Sequence, residues 1–115
     1  MPFWGTCLGF EWLVQLAQND EECTDEVFNS ENFTVALTFS EGATESRLFK
    51  PVETPYSKID KIKLMSEYPV TMNNHEWGIT PEFWHTLDKV PNFFNILSTN
   101  ADDDGKVFVS TIEAK

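Results

Sequence analysis

A chain of 115 residues can bury one small core, and 41% hydrophobic residues, including ten Phe and four Trp, exclude a disordered chain. A net charge of −11 excludes a nucleic-acid binder, because no basic face is left to neutralise phosphates. Two cysteines make no disulfide framework, and no apolar run behind a charged start marks a signal peptide or a membrane span.

The run Phe3-Trp4-Gly5-Thr6-Cys7-Leu8-Gly9-Phe10 reads as the end of an apolar strand, a Gly-x-Cys-x-Gly turn and the start of a helix. This is the cysteine form of the nucleophile elbow, a sharp turn that lifts one side chain clear of the sheet. Gly5 and Gly9 are expected to remove Cβ atoms that would clash where the backbone doubles back. The helix behind the turn would aim its N–H groups and positive dipole end at the Cys7 sulfur. The N–H of Leu8 would supply one oxyanion donor. The bland alternative for Cys7 is a small buried thiol.

Residues 8–19 place Leu13, Val14, Leu16 and Ala17 among Gln15, Gln18 and Asn19, which predicts an amphipathic helix packed on one side of a sheet. Asn19-Asp20-Glu21-Glu22 ends it in a solvated loop, and Cys23 needs no function. The reading changes to strands over 24–50, with β-branched and aromatic residues concentrated in 32–39 and Ser40-Glu41-Gly42 as a turn. Asn32-Phe33-Thr34 is an acceptor triplet for N-glycosylation, meaningful in a secretory compartment. Residues 51–55 hold two prolines and read as a loop. Ile59, Ile62, Leu64 and Met65, interleaved with Lys and Asp, fit a short helix or an irregular amphipathic stretch.

Thr80-Pro81-Glu82 predicts a helix start, with a hydroxyl N-cap, proline at the first position and an acid in the first turn. That helix is expected to run through Phe83, Trp84, Leu87 and Val90 until Pro91 stops it. His75 then falls in the loop before a capped helix, where a site residue could be held. The alternative is a solvent-exposed loop histidine; His85 inside the helix is read as structural. Residues 93–100 and 106–112 are strand-like, and Asp104-Gly105 between them predicts a hairpin. The Asp102-Asp103-Asp104 run lacks the glutamate of a calcium loop and reads as a solvated turn.

Trp-Gly-Thr-Cys-Leu-Gly-Phe-Glu, residues 4–11, resembles the nucleophile segment of the γ-glutamyl hydrolases. These form a branch of the class I glutamine amidotransferase-like superfamily that cleaves γ-glutamyl tails from folates. Ser46-Arg47-Leu48-Phe49, the block Asn-His-x-x-Gly-Ile-Thr-Pro-Glu-x-Phe around His75, and residues 93–113 are similar to the same family in the same order. The resemblance implies an α/β fold. Residues 1–115 would be one partial domain of a flavodoxin-like architecture: elbow, mixed strands and C-terminal hairpin, incomplete at both ends.

The reaction implied is hydrolysis of a small-molecule γ-glutamyl amide, such as a folate poly-γ-glutamate, through a thioester on Cys7, with no cofactor and no metal. His75 and Arg47 would be substrate-binding or accessory residues; Arg47 is the only arginine, in a chain whose charge repels polyanions. Its alternative is a surface ion pair. The resemblance also allows for a homodimer and a lysosomal, vacuolar or extracellular location, with no nucleic-acid or membrane partner. In the superfamily the general base is a His from a His-x-Glu segment after the hairpin. This chain contains no His-x-Glu, so it is expected to be inactive alone. Two alternatives stand beside this reading: a truncated, non-catalytic remnant with a binding role, and a glutamine amidotransferase subunit, which shares the elbow without the His75 block.

Overall fold

The computed structural model describes residues 2–24, 26–55 and 58–115. Helix α1, Leu8–Gln18, forms as the spacing predicts, turning Val14 into the core with Phe10, Leu13 and Ala17 packed around it. It ends at Asn19, whose left-handed backbone lets its N–H reach the Gln15 carbonyl. Asparagine is one of the few residues with a side chain that visits this conformation routinely. Residues 2–6 do not form the expected strand, and Phe3 and Trp4 stand in solvent. A strand needs a neighbour to take its backbone hydrogen bonds, and no described strand lies alongside.

Strand β1, Glu26–Val35, pairs antiparallel with β5, Thr71–Gly78. The expected strand over 32–39 is split at its centre: β1 stops at Val35 and β2, Thr38–Phe39, joins a different sheet. Leu37, between them, is buried and donates its N–H to the Met65 carbonyl at 2.7 Å. The second sheet has the order β2-β6-β7, where β6 is Phe94–Ala101 and β7 is Val107–Ala114. The hairpin joining β6 to β7 turns at Gly105, whose φ of 83° suits glycine. A third pair joins β3 (Val52–Glu53), inside the stretch read as a loop, to β4 (Lys58–Ile59), where the amphipathic stretch begins.

Helix α2, Lys61–Glu67, resolves the ambiguous amphipathic stretch; the Asp60 carboxylate caps it by accepting the Lys63 N–H at 3.0 Å. Helix α3, Pro81–Thr86, starts where Thr80-Pro81-Glu82 predicts, with the Thr80 hydroxyl accepting the Phe83 N–H. It ends earlier than expected. Leu87 is already extended, and Pro91 does not stop a helix but sits in the first turn of a second one, α4, Val90–Phe93. A proline there sacrifices no hydrogen bond, because the first-turn N–H groups have no intrahelical acceptor.

The result is a mixed α/β fold whose described strand pairs are all antiparallel. One core joins α1, α3, α4 and the β6–β7 hairpin through Val14, Cys23, Ile79, Trp84, Val90 and Val109. A smaller one gathers Leu37, Ala43, Phe49 and Leu97. No helix among the described residues is long and apolar enough to cross a membrane.

Candidate active site

Cys7 stands at the N-cap of α1 with φ 56° and ψ −120°. Three described non-glycine residues have positive φ, and the other two are asparagines, Asn19 and Asn32. A cysteine so placed lies outside the helical, extended and left-handed helical wells, and its neighbours must hold it there. They do so through a tight hydrogen-bonded turn. The Thr6 carbonyl accepts the Gly9 N–H at 3.0 Å, and the Cys7 carbonyl accepts those of Phe10 and Glu11 at 2.9 and 3.2 Å. The Trp4 indole N–H donates to the Thr6 hydroxyl at 2.8 Å.

The two glycines differ in what the turn asks of them. A Cβ on Gly5 would meet the Gly9 carbonyl oxygen at 2.5 Å and Leu13 Cδ1 at 2.8 Å. A Cβ on Gly9 would meet nothing within 4 Å, which corrects the expectation that both glycines relieve a clash. Cys7 itself is exposed, whereas the other thiol, Cys23, is buried at 1% exposure. The Leu8 N–H opens the helix at a position with no intrahelical acceptor. Glu11, four positions after Cys7 and so on the same helix face, has its carboxyl pushed above the ordinary range by burial.

His75 is not in a loop. It lies within β5, opposite Ser30 of β1. Its Nδ1 lies 3.0 Å from the Trp77 carbonyl oxygen and its Nε2 3.3 Å from Asn73 Oδ1, so an acceptor faces each ring nitrogen, and the Asn73 amide N–H in turn donates to the Thr71 carbonyl. Phe108 meets the ring edge-to-face at 4.8 Å.

Arg47 sits beside the end of β7. Its Nη2 donates to the Ala114 carbonyl, and its Nε lies 3.8 Å from Glu113. The same Glu113 carboxylate accepts the backbone N–H groups of Arg47 and Leu48 at 3.0 and 2.8 Å. Glu113 therefore clamps the Ser46-Arg47-Leu48-Phe49 turn to the hairpin. Two separate sequence blocks are parts of one contact.

No hydrogen bond, ion pair or ring contact among the described residues joins Cys7, His75 and Arg47 to one another. A hollow of about 350 Å³ beside the hairpin is lined by Phe28, Glu31, Glu76, Asp104 and Lys106, and contains none of the three. No group of three metal-ligating side chains gathers among the described residues.

Asp102, read as part of a solvated turn, is instead buried and organises that turn. Its carboxylate accepts the N–H groups of Asn29 at 2.8 Å, Asp104 at 3.0 Å and Lys106 at 2.8 Å. Burial would raise its carboxyl, but those backbone donors and the Lys106 charge outweigh that and hold it below the ordinary value. Nearby, Glu26 pairs with Lys106 at 3.0 Å and accepts from the Thr80 hydroxyl at 2.9 Å, tying hairpin, β1 and the start of α3 together.

Fold and turn together define a mixed α/β chain with an exposed cysteine on the turn that opens its first helix. No family model matches it. Individual proteins do. The chain is 42% identical over 115 residues to γ-glutamyl hydrolase B of Dictyostelium discoideum, covering 99% of this chain and 31% of that protein. It is 38% identical to the γ-glutamyl hydrolase of Mus musculus and 34% to that of Homo sapiens, each over 97% of this chain and 33% of the relative. The chain belongs by sequence to the γ-glutamyl hydrolase family, and it spans about a third of the length of the curated relatives it matches.

Proposed function

We propose that this chain carries the nucleophile of a γ-glutamyl hydrolase acting on small γ-glutamyl amides such as folate poly-γ-glutamates. The observation that carries the reading is Cys7: an exposed thiol on a positive-φ turn at the start of an eleven-residue helix, in a chain whose relatives bear that name. The Cys7 sulfur attacks the γ-carbonyl carbon, a C–S bond forms, the C–N bond breaks, and the departing amine takes up a proton. Water then cleaves the thioester, leaving a γ-carboxylate and the thiol. The Leu8 N–H is the oxyanion donor this chain contributes.

His75 and Arg47 are assigned to substrate binding or an accessory role. Nε2 of His75 and the exposed guanidinium of Arg47 are the groups they would offer. No general base is assigned here, because the chain has no His-x-Glu. For the whole domain we extend the family expectation to residues 1–115 as one part of a flavodoxin-like arrangement, a homodimer, and a lysosomal, vacuolar or extracellular location.

One observation favours a second reading, a non-catalytic chain with a binding role: Cys7, His75 and Arg47 sit on separate elements without mutual contact. A chimera decides between them. This chain replaces the matching third of the Dictyostelium γ-glutamyl hydrolase B, and glutamate release from a folate polyglutamate is measured. The first reading predicts turnover that Cys7→Ala abolishes. A folded chimera without turnover, or one whose turnover survives Cys7→Ala, contradicts it.

A further inference from the structure

We propose that the turn Ser46-Arg47-Leu48-Phe49 recognises the carboxylates of a γ-glutamyl chain, and that Glu113 is the positioning residue that aims Arg47 at them. The inference deepens the reading above and rests on its substrate class. A chain of γ-linked glutamates carries a free carboxylate on every residue. At a net charge of −11 this protein repels such a ligand unless cations are gathered at one place. The turn gathers two. Arg47 presents its guanidinium from the turn, and Lys61, the first residue of α2, donates its ammonium to the Leu48 carbonyl. Lys106, by contrast, is committed to Glu26 and to the Phe28 ring.

An arginine holds a carboxylate by its side edge, Nε with one terminal nitrogen, or by its end edge, Nη1 with Nη2. In Arg47 the side edge is engaged within the fold: Nε faces the Glu113 carboxylate at 3.8 Å, and Nη2 donates to the Ala114 carbonyl. Nη1 makes no hydrogen bond among the described residues, and the side chain is 73% exposed, so the end edge is open to solvent. Glu113 sets this direction without cancelling the charge. Its two oxygens are taken up by the Arg47 and Leu48 backbone N–H groups at 3.0 and 2.8 Å, and it meets the guanidinium at a longer distance.

The clamp itself has no need of a cation at 47. The two backbone bonds to Glu113 tie the turn to β7, and the Ser46 hydroxyl closes it by donating to the Ala43 carbonyl and accepting the Phe49 N–H. Ala114, whose carbonyl Arg47 holds, packs on the same core as Phe10 and Leu13 of α1, the helix that Cys7 opens. A γ-glutamyl chain extends over several residues, so recognition of its carboxylates does not require Arg47 to touch Cys7.

The test uses the full chain, isotope-labelled for proton–nitrogen correlation spectra. Arg47 is the only arginine, so it gives a single Nε–H signal. The probe is an N-acetylated peptide of γ-linked glutamates, and the control is the same peptide with its carboxylates converted to amides. The expected result is a saturable shift of the Arg47 signal with the first peptide and none with the second. Lys61→Gln weakens binding by roughly two- to fivefold, the scale of one exposed charge pair. Glu113→Gln separates aim from charge. It removes a negative charge beside the site, so a guanidinium acting as a point charge would bind the peptide more tightly, whereas one aimed by Glu113 binds it more weakly. Arg47→Lys keeps the charge, loses the fork and is also expected to bind more weakly, read from the Leu48 backbone N–H. Shielding of Cys23 from alkylation reports that each variant is folded. In the wild type, the Nε–H should exchange with water more slowly than that of free arginine, a readout that needs no variant.

No shift, or an equal shift with the amide peptide, overturns the site. Unchanged affinity in Arg47→Lys overturns recognition by the fork. Tighter binding by folded Glu113→Gln, or wild-type exchange as fast as free arginine, overturns the role of Glu113. Failure here leaves turnover by the chimera standing, and a chimera without turnover leaves the shift standing, so the two readings fail separately.

Discussion

At the scale of single residues, the Cys7 turn depends on Gly5 and not on Gly9 for a missing Cβ. A methyl group there would press on the Gly9 carbonyl and Leu13, both part of the helix that Cys7 opens. Gly5→Ala is expected to lower stability by about 1–3 kcal/mol, the usual range for overpacking a tight site. Gly9→Ala should be close to neutral; denaturant melts of the two variants separate them. Glu11 makes a directional claim. Its carboxyl is raised by burial, so the folded state favours the protonated form. That contribution is complete below the unfolded carboxyl value and disappears as pH rises through the folded one. Glu11→Gln should therefore be more stable than wild type at neutral pH and lose that advantage in acid, as denaturation midpoints across pH would show.

Asp102 runs the other way. Its carboxyl is lowered in the fold, so its contribution is present above the unfolded carboxylate value and is lost as pH falls through the folded one. Asp102→Ala strands three backbone donors and should cost about 2–3 kcal/mol near neutral pH, the scale of hydrogen bonds to a charged group. The gap should narrow in acid. A gap independent of pH would show that the carboxylate charge contributes nothing.

Among the elements, those announced by local chemistry were legible in the sequence and those defined by a partner strand were not. Gly-x-Cys-x-Gly announces α1, Thr80-Pro81-Glu82 announces α3, and Asp104-Gly105 announces the hairpin, because caps and turns are set by the residues at the site itself. The placement of His75 was hidden. Asn73, Asn74, His75 and Glu76 are polar and weak strand formers, and only pairing with β1 makes them a strand. The same holds for Asp102, which looks like one of three solvated acids until Asn29, distant in sequence, donates to it. Pro91 misled for a related reason: it can end a helix or open one, and the break at Leu87 decides which. The Thr80 cap is testable on its own. Thr80→Ala removes the bond to Phe83 and the link to Glu26, and should cost about 1 kcal/mol in a denaturant melt.

Taken whole, the chain combines a buried core with exposed apolar side chains on α1 and in the residues before it. Trp84 and Val14 are buried, while Leu8, Trp12 and Leu16 line the outward face of α1 beside exposed Phe3 and Trp4. Apolar surface of that kind binds hydrophobic probes and promotes association. The chain should bind an environment-sensitive naphthalene dye in its folded state, and Trp12→Lys should weaken that binding without lowering the melting midpoint. The candidate site has the same character at this scale. The exposed thiol at the start of α1 was legible from a short motif, whereas the side chains proposed to act with it are dispersed over β5 and the turn clamped by Glu113.

The role proposed for Cys7 requires a thiol presented to solvent at a strained turn, and the most direct measurement is the relative alkylation of the two cysteines in the folded chain. Limiting iodoacetamide, followed by peptide mass mapping, should modify Cys7 and leave Cys23 untouched until denaturant is added. Equal labelling of both, or prior labelling of Cys23, would contradict it.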